Sequence, residues 1–112
     1  MDFQTSVQDR NLIIRLTGEV DHHTSEDLRL KIEKEYDRQN ARHIIFDMSD
    51  VTFMDSSGIG MIMGRYKAIE QQGGQVAVYG VNVSIGKIMQ ISGLHKIIPV
   101  YDSLEAAKQA LR

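Results

Sequence analysis

The sequence predicts an α/β domain with a mixed, mostly parallel sheet, an antiparallel hairpin at the N-terminal end and about four packed helices. Three observations carry this. Residues 3–7 and 12–16 alternate apolar and polar on either side of the turn-forming Gln8-Asp9-Arg10-Asn11, as a hairpin with one buried face does. HIIFDM at 43–48 and VAVY at 76–79 are short, nearly continuous apolar runs of the kind found in strands covered on both faces. Around them, apolar residues recur at helical spacing. Strand–helix–strand crossovers demand parallel neighbours and a hairpin demands an antiparallel pair, so the sheet is mixed.

Phe3, Thr5 and Val7 share one side of the first strand, and Leu12, Ile14 and Leu16 one side of the second. After Gly18, Thr24 is placed to cap a helix carrying Leu28, Ile32 and Tyr36, with Asp27 three residues on as a weak capping box. The strand at 43–48 follows, then a short loop and a helix with Ile59, Ile62, Met63, Tyr66 and Ile69 on one stripe, broken by Gly73-Gly74. Beyond the strand at 76–79, Ser84 opens a short helix with Ile85, Ile88 and Met89 that stops at Gly93. Ile97 to Val100 reads as a last strand, at a sheet edge because it contains the lone Pro99. Asp102 caps a final helix with Leu104, Ala107 and Leu111. No linker or internal repeat divides the chain, so residues 1–112 are expected to form one domain.

Composition narrows the function. Thirteen Lys and Arg against fifteen Asp and Glu leave a net charge of −2, too little positive field to gather nucleic acid or acidic lipid. The absence of cysteine removes thiol chemistry and suits a reducing compartment. The opening MDFQTSVQDR has no apolar core and no later run is long enough to span a membrane, so a soluble cytoplasmic domain is expected.

The stretch MDSSGIG, residues 54–60, lies at the entrance to the helix of the 59–69 stripe. Free amides and the positive end of the helix dipole favour a negative group there, so Ser56 and Ser57 suit two roles: simple caps, or a hydroxyl able to carry a phosphate. Gly58, Gly60 and Gly64 each cost the helix about 1 kcal/mol relative to alanine. They permit a close approach, either of the protein's own sheet or of a partner's backbone. Asp21 ends the segment LTGEVD, and parallel neighbours place that end beside Ser56; it either closes the turn into the first helix or meets a partner.

Enzyme motifs fail around the same residues. A nucleophile elbow needs G-x-S-x-G, and no glycine stands two before either serine. Gly58, Gly60 and Gly64 miss the dinucleotide spacing, and no phosphate-binding G-x-x-x-x-G-K-[ST] loop is present. His22, His23, His43 and His95 lack the H-E-x-x-H pattern and read as surface or capping residues. Met48, Met54, Met61, Met63 and Met89 read mostly as core filler, although Met54 and Met61 fall off the main stripe near the serines and, if exposed, would suit a partner surface. Asp47, Asp50 and Asp55 raise the alternative of an aspartyl-phosphate receiver-like signalling domain. That alternative needs an acidic pair after the first parallel strand and a lysine after the last, whereas Val20 separates Glu19 from Asp21 and Lys96 precedes its strand.

Three stretches, LTGEVDHHT at 16–24, RHIIFDMSDVTFMDSSGIGMIMGRYK at 42–67 and ISGLHKII at 91–98, resemble the STAS domain of anti-sigma factor antagonists, its sporulation members in particular. The resemblance covers nearly the whole chain. It implies a switch without catalysis or cofactor of its own: the unphosphorylated protein binds an anti-sigma factor that is also a serine kinase and so frees the sporulation sigma factor. The kinase then phosphorylates the serine directly after the aspartate, here Ser56, and a PP2C-type phosphatase reverses the step. Asp21, Asp55, Ser56, Ser57 and Gly58 are the partner-binding residues this implies, with Ser57 chiefly a cap and the free protein a monomer. Base, magnesium and nucleotide come from the kinase, which agrees with the lack of a nucleotide motif in this chain.

Overall fold

The computed structural model describes residues 2–111, so the two ends of the expected 1–112 span lie outside the described residues. The elements run β1 (Asp2–Gln8), β2 (Asn11–Val20), α1 (Ser25–Arg38), β3 (His43–Met54), α2 (Ser56–Gln71), β4 (Val76–Tyr79), α3 (Val83–Ser92), a 3-10 turn (Leu94–Lys96), β5 (Val100–Tyr101) and α4 (Leu104–Ala110). One five-stranded sheet holds them in chain order, β1-β2-β3-β4-β5. The β1–β2 pair is antiparallel and the other three pairs are parallel, the mixed sheet that the sequence predicts.

The hairpin turns through Asp9 and Arg10, both at positive φ (54° and 65°), because two-residue turns of this hand match the twist of the strands. The Arg10 carbonyl accepts the amides of Arg42 and His43 at 2.8 and 3.2 Å, which fastens the turn to the start of β3. On one face of the sheet, Leu12, Ile14, Leu16, Ile44, Phe46 and Met48 are sealed under Leu28 and Ile32 of α1, Ile62 and Ile69 of α2 and Ile85 and Met89 of α3. On the other, Ile13, Ile45 and Ala77 lie under Ala107 and Leu111, so among the described residues α4 and its C-cap cover that face. Each fully buried Leu or Ile contributes about 1.5–3 kcal/mol, and cover on both faces explains the unbroken apolar run at the start of β3.

Several boundaries differ from the sequence expectation. The strand expected over 43–48 continues to Met54, paired with β2 as far as Val20 opposite Met54, and no loop separates it from the helix entrance. The polar Ser49, Asp50 and Thr52 disguise the continuation. They are tolerated because β4 pairs only with Ile44–Asp47, which leaves the later part of β3 open on that side, and because Asp50 pairs with Arg15 of β2. The α3 helix begins at Val83 with Asn82 as its cap, the Asn82 Oδ1 accepting the Ile85 amide at 2.8 Å, in place of Ser84. Ser103 rather than Asp102 caps α4, its Oγ accepting the Ala106 amide at 3.1 Å. The last strand is Val100–Tyr101, shorter and later than Ile97–Val100; as expected it is an edge, where Pro99 lacks an amide but its carbonyl accepts the Val78 amide at 3.1 Å. Met54 and Met61 are buried, so neither offers a partner surface. His43 is buried as well, with Nδ1 accepting the Gln75 amide at 2.9 Å; burial first, then Arg42 and Arg10, holds its pKa below the ordinary histidine value.

Candidate functional site

Parallel pairing of Val20 with Met54 brings the ends of β2 and β3 together, and the Asp55 amide donates to the Val20 carbonyl at 3.3 Å. Residues 21–24 and 55–58 therefore sit side by side at the carboxyl ends of adjacent parallel strands, the end of an α/β sheet where sites are usually built.

Because β3 stays extended through Met54, Asp55 is the last extended residue (φ −107°, ψ −171°) and Ser56 the first helical one. The cap is thus Asp55. Its Oδ1 accepts the amides of Ser57 at 2.8 Å and Gly58 at 3.3 Å, two of the donors that a helix start leaves without partners. This corrects the expectation for Ser57, which lies inside the first turn and does not cap it. Ser56 is exposed, while Asp55 and Ser57 are half-buried. The second carboxylate oxygen, Oδ2, accepts the backbone amide of His22 at 3.1 Å, a link across the two segments that no side-chain motif announces.

Asp21 closes the neighbouring turn. Its Oδ1 accepts the amides of His23 at 2.9 Å and Thr24 at 3.1 Å, and its carbonyl takes the Ser25 hydroxyl at 2.6 Å. Thr24 occupies the expected position before α1, but its hydroxyl oxygen accepts the Asp21 amide at 3.0 Å instead of capping the helix, and Asp27 pairs with Lys31 at 3.0 Å instead of completing a capping box. Partial desolvation works to raise the Asp21 pKa; the amides of Thr24 and His23 and the Thr24 hydroxyl outweigh it and hold the carboxyl below its ordinary value. Asp21 is therefore an anion with one oxygen committed to its own turn.

The glycines divide between the two roles left open by the sequence. A Cβ on Gly58 would stand 2.7 Å from Met54 Cγ and 2.9 Å from the Val20 carbonyl oxygen, so the protein's own strands require this glycine. At Gly60 and Gly64 a Cβ would meet nothing within 4 Å. A shallow hollow of about 360 Å3 beside Gly60 is lined by His22, Glu26, Arg29, Ser57, Gly60 and Met61, among others, between the starts of α1 and α2.

The three aspartates of the receiver-like alternative do not converge. Asp47 is buried and accepts the Ser49 hydroxyl at 2.7 Å, Asp50 pairs with Arg15, and Asp55 caps α2. Sequence reasoning missed the exposed apolar residues near this end: Phe53 is 46% exposed at the close of β3, and Val83 is 76% exposed at the start of α3. Val83 could have been found, since it falls off the stripe of Ile85, Ile88 and Met89; the exposure of Phe53 depends on the unforeseen length of β3.

The STAS domain family matches residues 2–107. The anti-sigma F factor antagonist of Paenibacillus polymyxa is 47% identical over 92 residues, covering 82% of this chain and 79% of that protein. Among solved structures, the anti-sigma factor antagonist SpoIIAA in its unphosphorylated form aligns with a TM-score of 0.75 and 29% identity over 97% of this chain and 96% of that one. The Bacillus cell fate determinant SpoIIAA in its phosphorylated form aligns with a TM-score of 0.74 and 32% identity over 99% of this chain and all (100%) of that one. These matches leave the receiver-like alternative without support. The chain belongs to the STAS domain family.

Proposed function

We propose that this protein is an anti-sigma factor antagonist: a cytoplasmic, non-catalytic, monomeric domain that in its unphosphorylated form binds an anti-sigma factor serine kinase and frees a sporulation sigma factor. Phosphorylation of Ser56 by that kinase ends the interaction, and a PP2C-type phosphatase restores it. The observation that carries this reading is the division of labour at the start of α2. Asp55 does the capping, which leaves the Ser56 hydroxyl exposed at the positive end of the helix and available for transfer. An acceptor hydroxyl needs exposure and fixed placement; the kinase supplies nucleotide, metal and base. The partner surface comprises Asp21 and the accessible part of the 55–58 segment, Asp55 to Ser57, with buried Gly58 beneath it, and extends along α2 over the open Gly60; the sigma F relative supports a role in sporulation.

The test is incubation with ATP and an anti-sigma F kinase, with the phosphate located by mass spectrometry. Label at Ser56, lost in Ser56→Ala and largely retained in Ser57→Ala, is the expected result. Label on Ser57, or none on the unmodified protein, would overturn the assignment.

A further inference from the structure

Asp55 divides its carboxylate between two segments: Oδ1 serves the Ser57 and Gly58 amides of α2, and Oδ2 serves the His22 amide in the turn before α1. Among the described residues, the bond to His22 is the one side-chain hydrogen bond that crosses from 21–24 to 55–58. Asp21 does not make the same link: its hydrogen bonds stay within residues 21–25. We infer that Asp55 is a positioning residue that holds the turn bearing Asp21 against the helix entrance bearing Ser56, and that a phosphoryl group on Ser56 is sensed in that turn through the Asp55–His22 bond.

The bridge itself is independent of the proposed function; its response to phosphate rests on Ser56 being the modified residue. The physical reason for the response is competition. A phosphoryl group on Ser56 brings a charge of about −1.5 to −2 and three acceptor oxygens to a helix start where two amides are already held by the adjacent Asp55 carboxylate. The Ile59 amide is also taken, by the Asp55 carbonyl at 3.2 Å. Two neighbouring anions drawn to one set of amides repel each other, and as Asp55 gives way the His22 amide loses its acceptor. The 21–24 turn keeps its internal bonds through Asp21, so it shifts as a unit and does not unfold. Half-buried Asp55 thus has a positioning role in addition to its place in the proposed partner surface.

Asp55→Asn and Asp55→Ser separate bridging from capping. Both Asn and Ser are favoured N-cap residues, so the α2 amides keep an acceptor. In the Asn variant the oxygen can serve Ser57 and Gly58 while the amide group confronts the His22 N–H, donor against donor; in the Ser variant the side chain is too short to serve both segments. Backbone NMR on the unmodified variants should show the His22 amide moving strongly upfield, and hydrogen exchange of residues 22–24 accelerating about tenfold, with the Ser57 amide little changed. Phosphorylated wild-type protein should show the same displacement of His22. If His22 is unmoved in both variants, or moves no more than the Ser57 amide, the bridge is refuted. If the variants behave as expected but Ser56 phosphorylation leaves His22 in place, the sensing step is refuted. A protein that accepts no phosphate on Ser56 in the kinase assay fails at the proposed function instead, an outcome the variant spectra do not depend on.

Discussion

The entrances to α1 and α2 lie side by side, each follows a parallel strand and each is closed by an aspartate, yet the two are built differently. At α1 the aspartate's own bonds stay inside one turn: Asp21 holds His23 and Thr24, and Thr24 and Ser25 bond back to Asp21. At α2 the aspartate reaches outside its own turn to His22, and the strand runs into the helix without a loop. The Asp21 carboxylate therefore serves its own turn alone, while the α2 entrance is sensitive to any new charge beside Asp55. A regulatory hydroxyl would have most effect at the second kind of entrance, which is where the proposed acceptor Ser56 stands.

The largest effect expected of this contrast comes from charge at the α2 entrance. Phosphorylation of Ser56 should lower affinity for the anti-sigma kinase more than a hundredfold, about 3 kcal/mol, while leaving the fold intact, because the helix end tolerates an anion that a desolvated interface does not. Ser56→Asp should reproduce only part of it, since one carboxylate has less charge and fewer acceptor oxygens than a phosphate. Calorimetric titration of the three forms checks this; equal affinities would remove the contrast.

Next come the glycines of the same helix. Gly58→Ala forces a methyl against Met54 and the Val20 backbone and should cost about 1–3 kcal/mol in urea denaturation. Gly60→Ala adds a methyl in open space and should stabilise the free domain by up to about 1 kcal/mol. Weaker kinase binding by the stabilised Gly60→Ala variant would sharpen the assignment of that face to a partner; unchanged binding would remove Gly60 from it.

A smaller effect is expected at the turn before α1. Asp21→Asn keeps an acceptor for the His23 and Thr24 amides and should leave Tm nearly unchanged, whereas Asp21→Lys, which lacks one, should lower Tm by a few degrees. If Asp21 also meets a cationic partner group, both variants bind the kinase less well, and the loss shrinks as salt is raised. Binding that follows Tm alone would make Asp21 purely structural.

The smallest effects are titrations. The Asp21 carboxyl has a depressed pKa when folded, so its contribution is complete above the ordinary value of 3.8 and is lost as pH falls through the folded value. His43 is also depressed; the unfolded chain takes up that proton first, so stability begins to decline as pH drops below about 6.5. Replacing His43 with Gln should flatten the decline between pH 7 and 5, and Asp21→Asn should flatten the one below pH 4. Unaltered pH profiles would show that neither group is linked to folding.

Much of this organisation is legible in the residues. Alternation at 3–7 and 12–16 gives the hairpin, and the apolar runs at 43–48 and 76–79 give the doubly covered strands. The later half of β3 was hidden because Ser49, Asp50 and Thr52 interrupt the pattern wherever the sheet is open on one side. That single omission moved the helix boundary and with it the cap, from Ser57 to Asp55, since Asp and Ser suit the position equally and only the strand's end decides between them. The His22 contribution is illegible in the side chains: it is a backbone amide, and any residue other than proline would supply it. The exchange of Ser84 for Asn82 and of Asp102 for Ser103 has the same origin, two eligible caps within a turn of each other.

The order of the strands has a bearing on how the domain is made. No strand is inserted between two already paired, so each new segment leaving the ribosome meets the edge laid down just before it, and the hairpin offers the first template. By the time α2 has emerged, both helix entrances are complete and the contact between His22 and Asp55 can form, before β4, β5 or α4 exists. Because early pairings join neighbouring segments, their loop-closure cost is low and assembly can proceed in the direction of synthesis. In pulsed hydrogen exchange during refolding, amides of β2 and β3 should gain protection before Val78, whose partner is the late-arriving Pro99 carbonyl; simultaneous protection would mean that the sheet closes in one step.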